Sequence, residues 1–109
     1  IVSTPQDLAL LDVKRGMQMF DKTGINIFGL ISNMSFFKTN DGLKHNIFGE
    51  GGVERIANEF NKDFLGHLPL HKDLRVSCDN GEPLTYSNRD HLLSKLFEEI
   101  AIKIKEKLF

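Results

Sequence analysis

The stretch Ile25-Asn26-Ile27-Phe28-Gly29-Leu30-Ile31 limits the possible fold more than any other feature of the chain. It is short, rich in β-branched residues and almost wholly apolar. Such a run suits a strand covered on both faces, as in a parallel sheet held between helices. Thr4-Pro5-Gln6-Asp7 upstream predicts a helix start. Thr4 is the expected N-cap, Pro5 fits the first helical position, where its missing N–H has no partner in any case, and Asp7 is the acidic N3 residue. Leu10, Val13, Met17 and Phe20 then recur at helical spacing, and Gly24 is the expected stop. Ile1-Val2-Ser3 reads as the end of a buried strand whose beginning is absent, so the chain is expected to be a piece of a longer one. Strand, helix and strand in this order make a βαβ unit.

The alternation continues downstream. Phe36-Phe37 and Asn46-Ile47-Phe48 flank Asn40-Asp41-Gly42, which predicts a small surface hairpin. Gly49-Glu50-Gly51-Gly52 leads into a helix carrying Val53, Ile56, Ala57 and Phe60, and Phe64 to Leu68 is the next strand, ended by Pro69. A short helix around Leu74 to Cys78 and a turn at Gly81-Glu82-Pro83 follow. From Asn88 onward Leu93, Phe97, Ile100, Ile104 and Leu108 line one face of a last helix. The expected fold class is α/β: a partial doubly wound, mostly parallel sheet flanked by helices, with residues 1–109 as a single domain. Three strands are few for that architecture, and the pattern reads as its second half.

Composition narrows the function classes. With 109 residues and 40% hydrophobic content, a real core is possible, and a closed fold of this size would leave roughly 6,000 Å² accessible. The 14 basic and 15 acidic residues leave a net charge of −1, which argues against a dedicated nucleic-acid binder or a polybasic membrane protein. No apolar run approaches the roughly 20 residues needed to cross a bilayer. Cys78 is the lone cysteine and cannot form an internal disulfide, so a reducing compartment is expected.

Four strings occur in order: Ser3-Thr4-Pro5-Gln6-Asp7-Leu8-Ala9-Leu10, Gly29-Leu30-Ile31-Ser32-Asn33-Met34-Ser35, Ile47-Phe48-Gly49-Glu50-Gly51-Gly52 and Leu65-Gly66-His67-Leu68-Pro69-Leu70. Their succession resembles the C-terminal half of the Mrp/ApbC-type iron–sulfur cluster carrier ATPases, relatives of MinD among the P-loop NTPases. The resemblance runs to about Pro83, and it is the four blocks together that are specific. It implies that Asn33 recognises the adenine of ATP, a task suited to a carboxamide, which offers one donor and one acceptor side by side. Read alone, Asn33 is more simply an asparagine closing a turn at a strand end, and it is the surrounding Met34-Ser35 block that favours the base-binding role. Pro69 and Leu70 resemble the second wall of the base pocket; the plainer alternative is a proline ending a strand. Both positions lie where open α/β sheets bind ligands, beyond the carboxyl ends of the strands. Ser3-Thr4-Pro5 would lie near the phosphates in the family, but its evident role here is helix capping.

The departures matter as much. No G-x-x-x-x-G-K-[ST] occurs in the sequence, and Gly49-Glu50-Gly51-Gly52 has no lysine and carries an acid that would repel phosphate. The family hydrolyses ATP; this chain alone is expected not to. The resemblance also implies an iron–sulfur cluster held by a C-x-x-C pair across a homodimer. Here the segment from Phe36 to His45 contains no cysteine, which leaves a cluster without ligands there. Client apoproteins as partners, and a bacterial cytoplasmic or mitochondrial-matrix location, are implied in the same way.

No metal site is expected. His67 and His71 are four apart, but Pro69 between them forbids the regular helix that would align them, and His45 and His91 read as surface residues. Cys78 has no local activating partner. Lys103, Lys105 and Lys107, interleaved with Glu98, Glu99 and Glu106, read as a solvated face. The leading expectation is the adenine-binding half of an ATP-dependent iron–sulfur cluster carrier. The alternatives are a non-catalytic interaction or assembly module left from a truncated or split gene, and an unrelated doubly wound binding domain.

Overall fold

The computed structural model describes all residues, Ile1–Phe109. In chain order the elements are β1 (Val2–Ser3), α1 (Asp7–Thr23), β2 (Gly29–Ser32), β3 (Phe37–Lys38), β4 (Lys44–His45), α2 (Gly52–Glu59), β5 (Asp63–His67), α3 (Lys72–Asn80), α4 (Leu84–Ser87) and α5 (Leu92–Leu108). β2 is the centre of a three-stranded sheet, ordered β1-β2-β5, with both pairings parallel.

The double burial expected of the central strand is realised by alternation. Leu30 joins Leu10, Met17, Ile27, Val53, Ile56 and Ala57 in a core between the sheet and α1 and α2. Its neighbour Ile31 packs on the opposite face with Leu65, Leu68 and Ile100 of the layer made by α5. Phe64 and Leu65 divide between the two faces in the same way, as successive side chains of a strand must. Helices therefore cover both faces of the sheet, as the α/β expectation required.

Several boundaries differ from expectation. Thr4 does not cap α1: the helix starts at Asp7, Gln6 before it is extended, and no side chain caps it. Pro5 is buried, with its carbonyl against Gly49 and Gly52, and this docking keeps the chain extended through Gln6. β2 begins only at Gly29. Gly24 turns left-handed (φ 75°) and the Ile25 N–H bonds the Phe20 carbonyl at 2.9 Å, which ties the start of the apolar run to the helix end. The hairpin forms at Phe37–Lys38 and Lys44–His45 rather than reaching Phe48. α4 was not expected, and α5 begins four residues past Asn88, whose carbonyl, like that of Leu84, accepts from Ser94 Oγ.

The lysines of α5 are not merely a solvated face. Lys103 Nζ donates to the Leu65 carbonyl at 2.9 Å, and Lys107 Nζ donates to the Phe28 carbonyl at 3.0 Å and pairs with Asp63. Their stems lie along the sheet while their heads satisfy its strands.

The accessible surface is 7585 Å², well above the roughly 6,000 Å² of a closed fold of this mass. Part of the excess is apolar: Val2 on the edge strand β1 is 60% exposed, and Leu8 and Leu11, which line a groove between α1 and α2, are 79% and 56% exposed.

Candidate functional site

The parallel strands β2 and β5 end side by side, and the chain leaving them is laced together by backbone. Leu68 N donates to Ser32 O at 2.8 Å, Ser35 N to Leu68 O at 2.9 Å, and Leu70 N to Phe36 O at 2.8 Å. Asn33 N also donates to Ser3 O at 2.7 Å, so the tip of β1 joins the same corner. Asn33, Pro69 and Leu70 thus come together at the carboxyl end of the sheet.

Their exposure differs. Asn33 is half-buried, Pro69 is buried and Leu70 is partly exposed. Asn33 Oδ1 accepts from Met34 N at 2.9 Å, in a bend where Met34 adopts φ 51°. This bond to the adjacent residue steadies the bend after β2 and leaves the amide NH₂ and one oxygen lone pair uncommitted. None of the principal cavities is lined by Asn33, Pro69 or Leu70.

Beneath the corner lies a lock that the sequence did not announce. Ser35 Oγ shares a 2.5 Å hydrogen bond with His67 Nδ1 and a 3.1 Å one with Ser32 Oγ. The other ring nitrogen of His67 lies 3.5 Å from Glu54 Oε2 in the first turn of α2. Two buried serines at the end of an apolar strand were the available signal, since buried hydroxyls need partners. A cavity of about 200 Å³ adjoins this lock, lined by Lys44, Asn46 and Glu50 among others.

The Gly-rich block is where α2 packs closely against α1. Gly51 precedes α2 with φ 74°, and a Cβ on Gly52 would stand 2.5 Å from Leu10 Cδ1 and 3.0 Å from the Pro5 carbonyl. Removing the Cβ is what lets α2 reach α1.

A second convergence lies past Leu70. His71 and His91 are the N-caps of α3 and α5, their Nδ1 atoms accepting from Asp73 N at 3.0 Å and Leu93 N at 3.1 Å. His91 Nε2 donates to Asp73 Oδ2 at 2.9 Å, and the two rings meet edge to face with centroids 5.3 Å apart. Sequence spacing offers His71 no partner, Pro69 excluding the i,i+4 pairing with His67; the fold pairs it with His91, twenty residues on.

The hydrogen bond from His91 holds the Asp73 carboxyl below the ordinary carboxylate range; desolvation opposes it, and the charges of His71, His91 and Lys72 reinforce it. A lowered folded value means that the contact stabilises above the ordinary aspartate range and is lost as pH falls through the folded value. His91→Asn, which keeps a capping side chain, should raise the Asp73 titration toward the ordinary range in a carboxyl-detected NMR titration. An unmoved midpoint would show that the bond does not hold the carboxylate.

The fit to an iron–sulfur cluster is poor within one chain. Such clusters take about four thiolates, and Cys78, exposed on α3, is the only thiol present.

Comparisons with known proteins agree with this architecture. The model of the ParA family, described as NUBPL iron-transfer P-loop NTPase, matches residues 1–105. An iron–sulfur cluster carrier protein of Pseudomonas fragi is 37% identical across 100% of this chain, which spans 38% of that relative. The iron–sulfur cluster transfer protein NUBPL of Dictyostelium discoideum is 39% identical over 99% of the chain and 34% of its own length. Among solved structures, a nucleotide-binding protein from Archaeoglobus fulgidus in complex with ADP superposes with a TM-score of 0.62 at 28% identity, covering 84% of this chain and 41% of that one. The chain spans about a third of the length of the curated relatives it matches, 30% to 38%. With a whole-chain family match, relatives of this identity and a shared sheet architecture, the chain belongs to the NUBPL iron-transfer P-loop NTPase family.

Proposed function

We propose that this chain is the base-recognising part of an ATP-dependent iron–sulfur cluster carrier, with Asn33, Pro69 and Leu70 walling the adenine. The observation carrying this reading is the backbone lacing of residues 32–36 to 68–70, which brings the three together at the strand tips. The free NH₂ of Asn33 donates to a ring nitrogen of adenine while its oxygen accepts from the exocyclic amine, a bidentate match lost with guanine, which carries a carbonyl where adenine has that amine. Pro69 sets the direction of the chain behind the base, and Leu70 offers an apolar edge.

The triphosphate needs a phosphate-binding loop with its lysine, and no such loop occurs in these residues. ATP hydrolysis therefore depends on a further part of the protein. The unpaired outer edge of β1, where Val2 is exposed, is the surface we assign to that part. The cluster is cargo, taken up by the complete protein, as a homodimer, and passed to client apoproteins in the bacterial cytoplasm or mitochondrial matrix. The same exposed edge favours a second reading, a non-catalytic assembly module that docks a partner there. ATP turnover on mixing with a phosphate-loop half supports the first reading; a complex without turnover supports the second.

Asn33→Ala in the complete protein should lower the ratio of ATP to GTP affinity about tenfold, the cost of leaving a base edge unpaired. Equilibrium binding of both nucleotides measures it. An unchanged ratio would remove Asn33 from the base pocket.

A further inference from the structure

The starts of α3 and α5 bring two imidazoles and a carboxylate to one point. We propose that His71, Asp73 and His91 form a binding site for a divalent transition-metal ion of the zinc class, separate from the corner formed by Asn33, Pro69 and Leu70.

The geometry is close to what such an ion requires. One ligand atom from each of the three residues lies within 4.8 Å of the others. Asp73 Oδ2 is 2.9 Å from His91 Nε2 and 3.9 Å from His71 Nδ1. Bonds of about 2.0–2.1 Å in tetrahedral array separate neighbouring ligands by about 3.3 Å. These two distances bracket that value, and the two imidazoles, within 4.8 Å of each other, must swing together by up to about 1.5 Å to reach it.

The donors are also held in place. Each histidine occupies a helix N-cap, where its backbone is fixed, and the His91 side chain is only 16% exposed. Two imidazoles with one carboxylate favour zinc and its neighbours over magnesium or calcium, which take oxygen-rich sets. Three protein ligands with an open outer side leave the fourth position to water.

Proton accounting sets the strength. His71 would bind through Nδ1, which needs no change of tautomer but must give up the Asp73 N–H that its single in-plane lone pair now accepts. His91 binds through Nε2, whose proton must move to Nδ1 at the expense of the cap to Leu93 N. Lys72 adds a nearby positive charge. The site should therefore bind more weakly than closed four-ligand structural sites, while still preferring zinc to magnesium.

Isothermal titration of the full chain with Zn²⁺ tests this, in a Cys78→Ser background that removes the only thiol. One ion per chain is expected, with no comparable heat from Mg²⁺. His71→Asn with His91→Asn keeps both caps, since asparagine caps well, and should weaken binding at least about tenfold. Asp73→Asn, which leaves both histidine caps intact, should weaken it also and serves if the double variant does not fold. Zinc should shift the imidazole NMR signals of His71 and His91 and leave those of His45 and His67 in place. Unchanged affinity in the variants, loss of binding with Cys78→Ser alone, or equal shifts at all four histidines would overturn the assignment.

Discussion

Leu30→Ala is expected to destabilise the chain by about 2–5 kcal/mol, the range for emptying a fully buried leucine site. Leu30 is 0% exposed and sits in the middle of the central strand, among Leu10, Met17, Val53 and Ile56. No neighbouring side chain can collapse into the space cheaply, because α1 and α2 are each anchored elsewhere, α1 through Pro5 and α2 through the close approach at Gly52. The loss should lower the urea midpoint without changing the slope, and the melting temperature should fall by more than about 10 °C. Leu11→Ala, at a leucine of α1 that is 56% exposed, is the matched control and should stay within about 0.5 kcal/mol. Equal losses at both positions would mean that Leu30 does not anchor the core.

The second large effect is a change of sign between two glycines. A Cβ on Gly29 would lie 2.7 Å from Leu65 Cγ and 2.8 Å from the Asp63 carbonyl oxygen. The leucine can rotate away, but the carbonyl belongs to the strand paired with Gly29, and moving it pulls β5 away from β2. Gly29→Ala should cost about 1–3 kcal/mol, as overpacking does. Gly16 lies inside α1 with nothing within 4 Å of its ideal Cβ, so Gly16→Ala should stabilise by about 0.5–1 kcal/mol through helix propensity alone. Paired denaturant curves read both. If Gly29→Ala were neutral, the close approach of β2 to β5, and with it the corner that holds Asn33 beside Pro69, would be wrong.

How much of this was legible beforehand depended on the range of the interaction. Leu10, Met17, Val53, Ile56, Leu93 and Ile100 were placed on buried helix faces by spacing alone, and all are buried. The apolar run before Ser32 was correctly a strand covered on both faces, because period and burial are encoded locally. Its starting point was not, because the Ile25 N–H is claimed by the end of α1. Thr4 carried a capping signature that lost to the docking of Pro5 under α2, an interaction between segments more than forty residues apart. α4 left no signal that periodicity could register, being a single turn.

From its residues alone, the chain determined an alternating α/β architecture, balanced charge, a lone thiol, no phosphate-cradling loop and the string of blocks that marks its family. Those properties reside in individual residues and their neighbours along the chain. Tertiary structure alone decided that Ser35 meets His67, that residues 32–36 run beside 68–70, and that His71 finds Asp73 and His91 rather than His67. Each of these depends on which helix or strand end lies beside which. That choice is made by burying both faces of β2 at once, and no local pattern records it.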